Sequence, residues 1–378
     1  MVNQYRFCRV VFTLLLYGLL VGAVHAQEIP QTIHSRPPLA VLDVQYSPNG
    51  RYLARVYAEG RLEVLDAFTN RLMLEDSVEL PNPLFSAKID WSPTGDRLAA
   101  GIGAHVYVWD IENAQLIETI EAGGEDPLVY FEDGSYLPEG IVSLQWDSTG
   151  TLLLTKSMSS HLTVWSTEQQ TFIFDRVVGN NPVPVVWLAD NQHITNGSSV
   201  FDIQTQEFVV YDSERLPGVV SNCGPYFSIA SNSNRTRIIQ ATGYGCIVIR
   251  DAATGDEIAG YQLSAGWSPN DSGIVIAENI NPIWDVSWSP DDSKLVAVDS
   301  LGAVQVVDIA TGSITLIDQQ AGALYAVDWT DTNTAIAYGG NTLGEDTVFA
   351  TISVAEVERL MISAARQPEF AITPSTDR

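Results

Sequence analysis

One short phrase recurs along this 378-residue chain and governs what it can fold into: an apolar residue, any residue, an aromatic, then a turn written Ser-Pro-x-Gly or a variant of it. Clear copies are Val44 to Gly50 (VQYSPNG), Ile89 to Gly95 (IDWSPTG) and Val286 to Asp292 (VSWSPDD). Weaker ones are Leu144 to Gly150 (LQWDSTG), Val185 to Asn191 (VVWLADN), Ile229 to Arg235 (IASNSNR) and Val327 to Asn333 (VDWTDTN). Alternating apolar residues specify a strand, and Pro, Asn, Asp and Gly supply the turn that ends it. Seven copies therefore predict seven units that each open on a strand and a tight turn.

A second strand follows each turn, as at Tyr52 to Val56, Arg97 to Ala100 and Lys294 to Val298. A third runs into another repeated turn, Asp-x-x-Thr-Gly or a relative, at Asp66, Asp110, Asp202, Asp251 and Asp308. There the Asp side chain can hydrogen-bond the backbone while Gly or Asn takes a left-handed conformation. A fourth strand closes the unit, as at Gln115 to Ile120 and Ser313 to Ile317. Four short strands cannot bury a core alone, so repeats of about 50 residues must stack. The expected fold is all-β: a seven-bladed β-propeller of four-stranded antiparallel blades over residues 39–364, with a lead-in at 27–38 and a tail at 365–378.

Val108-Trp109-Asp110, after a strand and with the WSPTG turn upstream, resembles the WD40 repeat family, and the likeness runs from about Leu39 to Met361. Val164-Trp165-Ser166, Ile249-Arg250-Asp251 and Val306-Val307-Asp308 are partial copies, and the Gly-His dipeptide usual before the first strand is absent. TolB-like propellers, with similar WSPDG turns, are the near alternative. The resemblance implies an interaction platform for a protein or peptide, although a fold does not fix its partner.

Spacing of the central aromatic position, from Tyr46 through Trp91, Trp146, Trp187, Ser231 and Trp288 to Trp329, is uneven, and two steps are long. The extra residues fall between the last strand of one unit and the first of the next, at 121–139 and 264–283. Insertions gathered on one propeller face mark a binding face. The first carries Glu125, Asp126, Glu132 and Asp133 among Tyr130, Phe131 and Tyr136, and the second carries Trp267. Acids beside aromatics suit a cationic or aromatic-anchored partner; the plainer alternative is a solvated acidic loop whose rings pack back on the propeller. The WSPND phrase at Trp267 could also be a decayed eighth repeat.

Residues 1–26 read as an export signal, with Arg6 and Arg9 before the apolar run Val10 to Val24 and a small-x-small site at Val24-His25-Ala26. The apolar run is shorter than the roughly 18 residues of a spanning helix, which favours cleavage over a membrane anchor. Cleavage removes two arginines and no acids, taking the formal charge from −27 to −29. Such a surface repels phosphate backbones and anionic lipid, so nucleic acid and membrane are poor partners. Two of the three cysteines remain, Cys223 and Cys246, an even pair that predicts one disulfide in an exported chain.

Signals for chemistry are few. No Gly-x-Ser-x-Gly elbow, His-Glu-x-x-His or phosphate-cradling loop occurs. His105 and His161 both begin third strands, but two imidazoles do not make a zinc site. The expected protein is an exported, non-catalytic scaffold without a cofactor. A propeller enzyme of hydrolase or quinone-dependent dehydrogenase type is the alternative, although the regular Trp of quinoprotein turns is missing; a structural envelope component is another.

Overall fold

The turn in each repeated phrase closes on one hydrogen bond, from the amide of its last residue to the carbonyl three residues earlier. Gly50 N–H donates to Ser47 at 2.7 Å, Asp292 to Ser289 at 2.9 Å and Asn333 to Thr330 at 2.8 Å, with equivalents in every copy. That last residue is left-handed in all seven, whether glycine (Gly50, Gly95, Gly150) or Asn191, Arg235, Asp292 and Asn333. The residue that opens the turn caps the next strand: Ser47 Oγ accepts from Tyr52 N–H at 2.9 Å, and Ser92, Asp147, Asn232 and Ser289 repeat the contact. The second turn is built as its sequence promised, with Asp66, Asp110, Asp202, Asp251 and Asp308 each accepting the amide three residues on.

The computed structural model describes residues 40–130, 136–179, 183–210, 226–263, 281–342 and 347–365. These turns join antiparallel strands into seven sheets in strict sequence order, at residues 41–77, 88–121, 141–177, 186–210, 226–262, 283–319 and 322–353. The chain is a seven-bladed β-propeller. Six blades show four strands, and the seventh shows three among the described residues, followed by a helix, Val354–Ala365. That helix was not foreseen in the sequence. Val354 and Val357 are buried against the sixth and seventh blades, with Leu360 and Met361 packed beside them.

First strands of successive blades touch one another in a closed cycle, and the seventh (Gly322–Trp329) touches the first (Val41–Tyr46). They are therefore innermost. The apolar core lies between blades rather than within them; one cluster joins Tyr52, Leu62 and Val64 of blade 1 to Ile89, Leu98 and Trp109 of blade 2. Burial between flat sheets of this kind is the main stabilising term. Connections from a fourth strand to the next first strand all open at the end where first strands begin, so the described ends of both long insertions lie on one face. The first insertion adds a small hairpin, Leu128–Tyr130 paired with Tyr136–Pro138.

Candidate binding site

The repeated aromatic of the phrase is explained by what its ring donates. Trp91 Nε1–H reaches the Gln45 carbonyl of the previous blade at 3.3 Å, Trp146 reaches Asp90 at 3.2 Å, Trp187 reaches Gln145 at 3.2 Å and Trp288 reaches Ala230 at 3.3 Å. A second latch runs beside it through the residue before the aromatic. Asp90 Oδ2 accepts from Trp146 N–H at 2.6 Å, Gln145 Oε1 from Trp187 N–H at 2.9 Å and Ser287 Oγ from Trp329 N–H at 3.1 Å. Asp328 Oδ2 accepts from Tyr46 N–H at 2.8 Å, which closes blade 7 onto blade 1. Two residues earlier on the strands, Asp43 takes Ile89 N–H at 2.9 Å, Ser143 takes Val185 N–H at 2.8 Å and Asp285 takes Val327 N–H at 3.1 Å. Further out, the tryptophans that end third strands tie them to the preceding blade, Trp109 to Asp76 at 3.1 Å and Trp165 to Glu118 at 3.0 Å.

These side chains line a polar central channel whose cavity is about 180 Å³, bounded by Asp43, Lys88, Asp90, Ser143, Asp285 and Asp328 among others. Lys88 Nζ lies between Asp43 (3.7 Å) and Asp285 (3.9 Å), so an ion triad from blades 2, 1 and 6 bridges the axis. Burial pushes the Asp43 carboxyl up to about 6, outweighing the attraction of Lys88. It pushes Asp90 up to about 7 against the hydrogen bond from Trp146 and the charge of Arg235, and it raises Asp328 well above the usual range. At Lys88 burial acts to lower the pKa, but Asp285 and Asp43 together hold it above its ordinary value. Arg235 reaches over from blade 5 at the opposite end, giving hydrogen bonds to Asn191 Oδ1 (3.1 Å) and the Trp146 carbonyl (3.2 Å).

Of the residues expected at the partner face, Glu125 and Asp126 are exposed on the first insertion, and Asp126 Oδ1 accepts from Leu128 N–H at 3.0 Å. Tyr130 and Tyr136 pair across its hairpin. Phe131, Glu132, Asp133 and Trp267 lie outside the described residues. So does Cys223; Cys246 is buried and disulfide-bonded. His105 and His161 begin third strands as expected and sit apart, His105 tilted against Tyr107 and His161 Nδ1 3.6 Å from Asp175. Among the described residues no group of three or more His, Cys, Asp or Glu could hold a metal. The sequence reading passed over the channel acids and an aromatic cluster at the start of the first strands, Phe85, Phe227, Trp284 and Tyr325. The only signal for either was position: an acid one or three places before the central aromatic, and a bulky ring four places before it at Phe227, Trp284 and Tyr325, with Phe85 six places before Trp91.

No family model and no curated protein sequence matches the chain. Solved structures do. The structure described as the crystal structure of RRP9 WD40 repeats superposes with a TM-score of 0.64 at 10% identity, covering 85% of this chain and 96% of its own. The structure of U3-55K gives 0.63 at 11%, covering 85% and 97%. The fold is that of a WD40-repeat propeller. At such identity the likeness carries architecture alone, and the latches above show how this propeller holds its blades together with one complete Trp-Asp ending, at Trp109-Asp110.

Proposed function

We propose that this protein is an exported, non-catalytic scaffold that offers its insertion-bearing face to a protein or peptide partner. The observation that carries the reading is the division of labour in the fold. The buried polar groups of the channel hold blade to blade, while the chain's two long additions open on one face of that latched ring. A rigid disc with variable loops on one side is a binding geometry. The RRP9 and U3-55K propellers have the same disc, and WD40 propellers are commonly interaction platforms.

The charge of −27 favours a basic or neutral partner over nucleic acid. Export rests on the N-terminal pattern, and a Cys223–Cys246 disulfide fits it: the loop it closes would stabilise by about 3 kcal/mol. Peptide mapping without reductant is expected to recover Cys223 and Cys246 in one cross-linked fragment, and two alkylatable thiols would refute the pairing. N-terminal sequencing of the mature protein is expected to begin at Gln27.

The partner face is tested by capture from the fluid around the source cells, using mature protein and a variant with 121–139 replaced by a Gly-Ser linker. Binding by the first and not by the folded second places the partner on the acidic insertion. Equal binding moves it elsewhere on the disc, and turnover of a substrate by the protein would overturn the non-catalytic reading.

A further inference from the structure

Four rings from four blades meet over the channel on the insertion face. Trp284, at the start of the first strand of blade 6 (Ile283–Trp288), stacks on Phe227 of blade 5 with centroids 5.0 Å apart and planes at 24°. It meets Tyr325 of blade 7 edge-on at 5.7 Å and Phe85, in the lead-in to blade 2, edge-on at 6.3 Å. Blades 5, 6 and 7 are consecutive but blade 2 is not beside blade 6, so the Phe85–Trp284 contact crosses the propeller axis. Directly inward, Trp284 is followed by Asp285 and Phe227 by Ser228, both lining the channel. The quartet is thus the roof of the carboxylate cavity.

Three properties of that roof point to a ligand. All four rings are only part-buried, although each lies at the centre of the disc and not on its rim. The Trp284 Nε1–H is shielded from solvent and meets no acceptor among the described residues, which buried donors rarely tolerate. Finally, the chain lays guanidinium groups on other rings, Arg55 on Phe349 at 4.5 Å and Arg97 on Trp146 at 4.7 Å, yet among the described residues none lies on this quartet. Directly behind the roof stand two carboxylates, Asp43 and Asp285, against one cation, Lys88, which lies between them; Asp90 and Asp328, held toward the neutral form by burial, sit further along the strands. Clustered ring faces backed by net negative charge attract a cation, and an indole N–H beside them suits a peptide carbonyl.

We propose that this aromatic roof is the anchor point for an arginine or lysine side chain of a basic protein or peptide partner. The proposal rests on the scaffold reading and adds to it the chemistry of the contact. An apolar anchor would use the rings but gain nothing from the carboxylates behind them. A nucleic acid would be repelled by both the channel and the chain's overall charge.

The test titrates a Gly/Ser hexapeptide with one central arginine into protein labelled with ¹⁵N at its indoles, at physiological salt. The same peptide with citrulline or phenylalanine in place of arginine is the comparison. The Trp284 Nε1–H resonance is identified by its absence in Trp284→Leu, and Phe227→Leu and Tyr325→Leu serve if that variant fails to fold. The expected result is a shift of the Trp284 resonance with the arginine peptide, binding about tenfold weaker with citrulline, and a further loss of about tenfold in the ring variants. Equal binding of arginine and citrulline peptides, tighter binding of the phenylalanine peptide, no shift at Trp284, or unchanged affinity in the ring variants would each overturn the proposal. A partner that is captured by the mature protein and lost with the 121–139 insertion would leave the scaffold reading standing even then.

Discussion

Individual residues carry the repeat by conformation as much as by hydrophobicity. At the close of the second turn the left-handed position is held by Asn70, Ala114, Gln170, Gln206, Gly255 and Gly312 in the first six blades. Ala114, with φ of 49°, is the residue least suited to it, since a Cβ in that region costs about 1–2 kcal/mol and alanine has no side-chain hydrogen bond to offer. Ala114 is exposed, so nothing else depends on its methyl group. Ala114→Gly is therefore expected to stabilise the protein by about 0.5–1 kcal/mol once glycine's greater unfolded-state freedom is set against the relief. Equilibrium unfolding in urea measures it, and a loss of stability would show that the second turn of blade 2 is not strained.

At the scale of elements, the seven blades were legible because their turns are local events: the phrase in all seven, and the Asp-x-x-Thr-Gly turn in five, specify hydrogen bonds between residues three to five apart. The C-terminal helix was not legible. Its residues Val354, Val357, Leu360 and Met361 have helical spacing, but they follow a strand directly, and the sequence reading kept them within the propeller ahead of the tail at 365–378. The channel site was also hidden, because Asp43, Asp90, Asp285 and Asp328 look like the polar half of an alternating strand until the amides that donate to them are seen to belong to the next blade. Only ring closure supplies that information. The helix itself is expected to be essential to the last blade: ending the chain after Ser353 removes Val354 and Val357 from the apolar cluster they share with blades 6 and 7. At about 1.5–3 kcal/mol for each buried aliphatic side chain, the truncated protein should lose about 3–6 kcal/mol. Hydrogen exchange should show the loss concentrated in strands 322–353, and uniform protection across all seven blades would contradict it.

The molecule as a whole places two populations of carboxylate in opposite environments, and its stability should record both as a function of pH. In the outer turns, hydrogen bonds from the Ser289 and Ser293 side chains hold Asp291 down at about 2, and those from Thr69 and Thr311 lower Asp66 and Asp308. These groups stabilise the fold above their unfolded value of 3.8, and that contribution is lost as pH falls below it. In the channel the sign is reversed: Asp43 and Asp90 are raised from 3.8 to about 6 and about 7, so the folded state binds more protons than the unfolded state between those limits. Their contribution is complete below about pH 4 and is lost as pH rises through 6 and 7. Stability should therefore peak near pH 4 to 5 and decline toward neutrality. General repulsion in so acidic a chain acts in the same direction, so the slope alone does not implicate the channel. Asp90→Asn separates the two, because the amide oxygen can still accept from Trp146 N–H while the titration disappears and the overall charge changes by one. The variant's unfolding free energy should fall less steeply than wild type between pH 5 and pH 8, by on the order of 1–3 kcal/mol. Parallel profiles would mean that Asp90 is charged throughout, and that water or a cation in the channel compensates its burial.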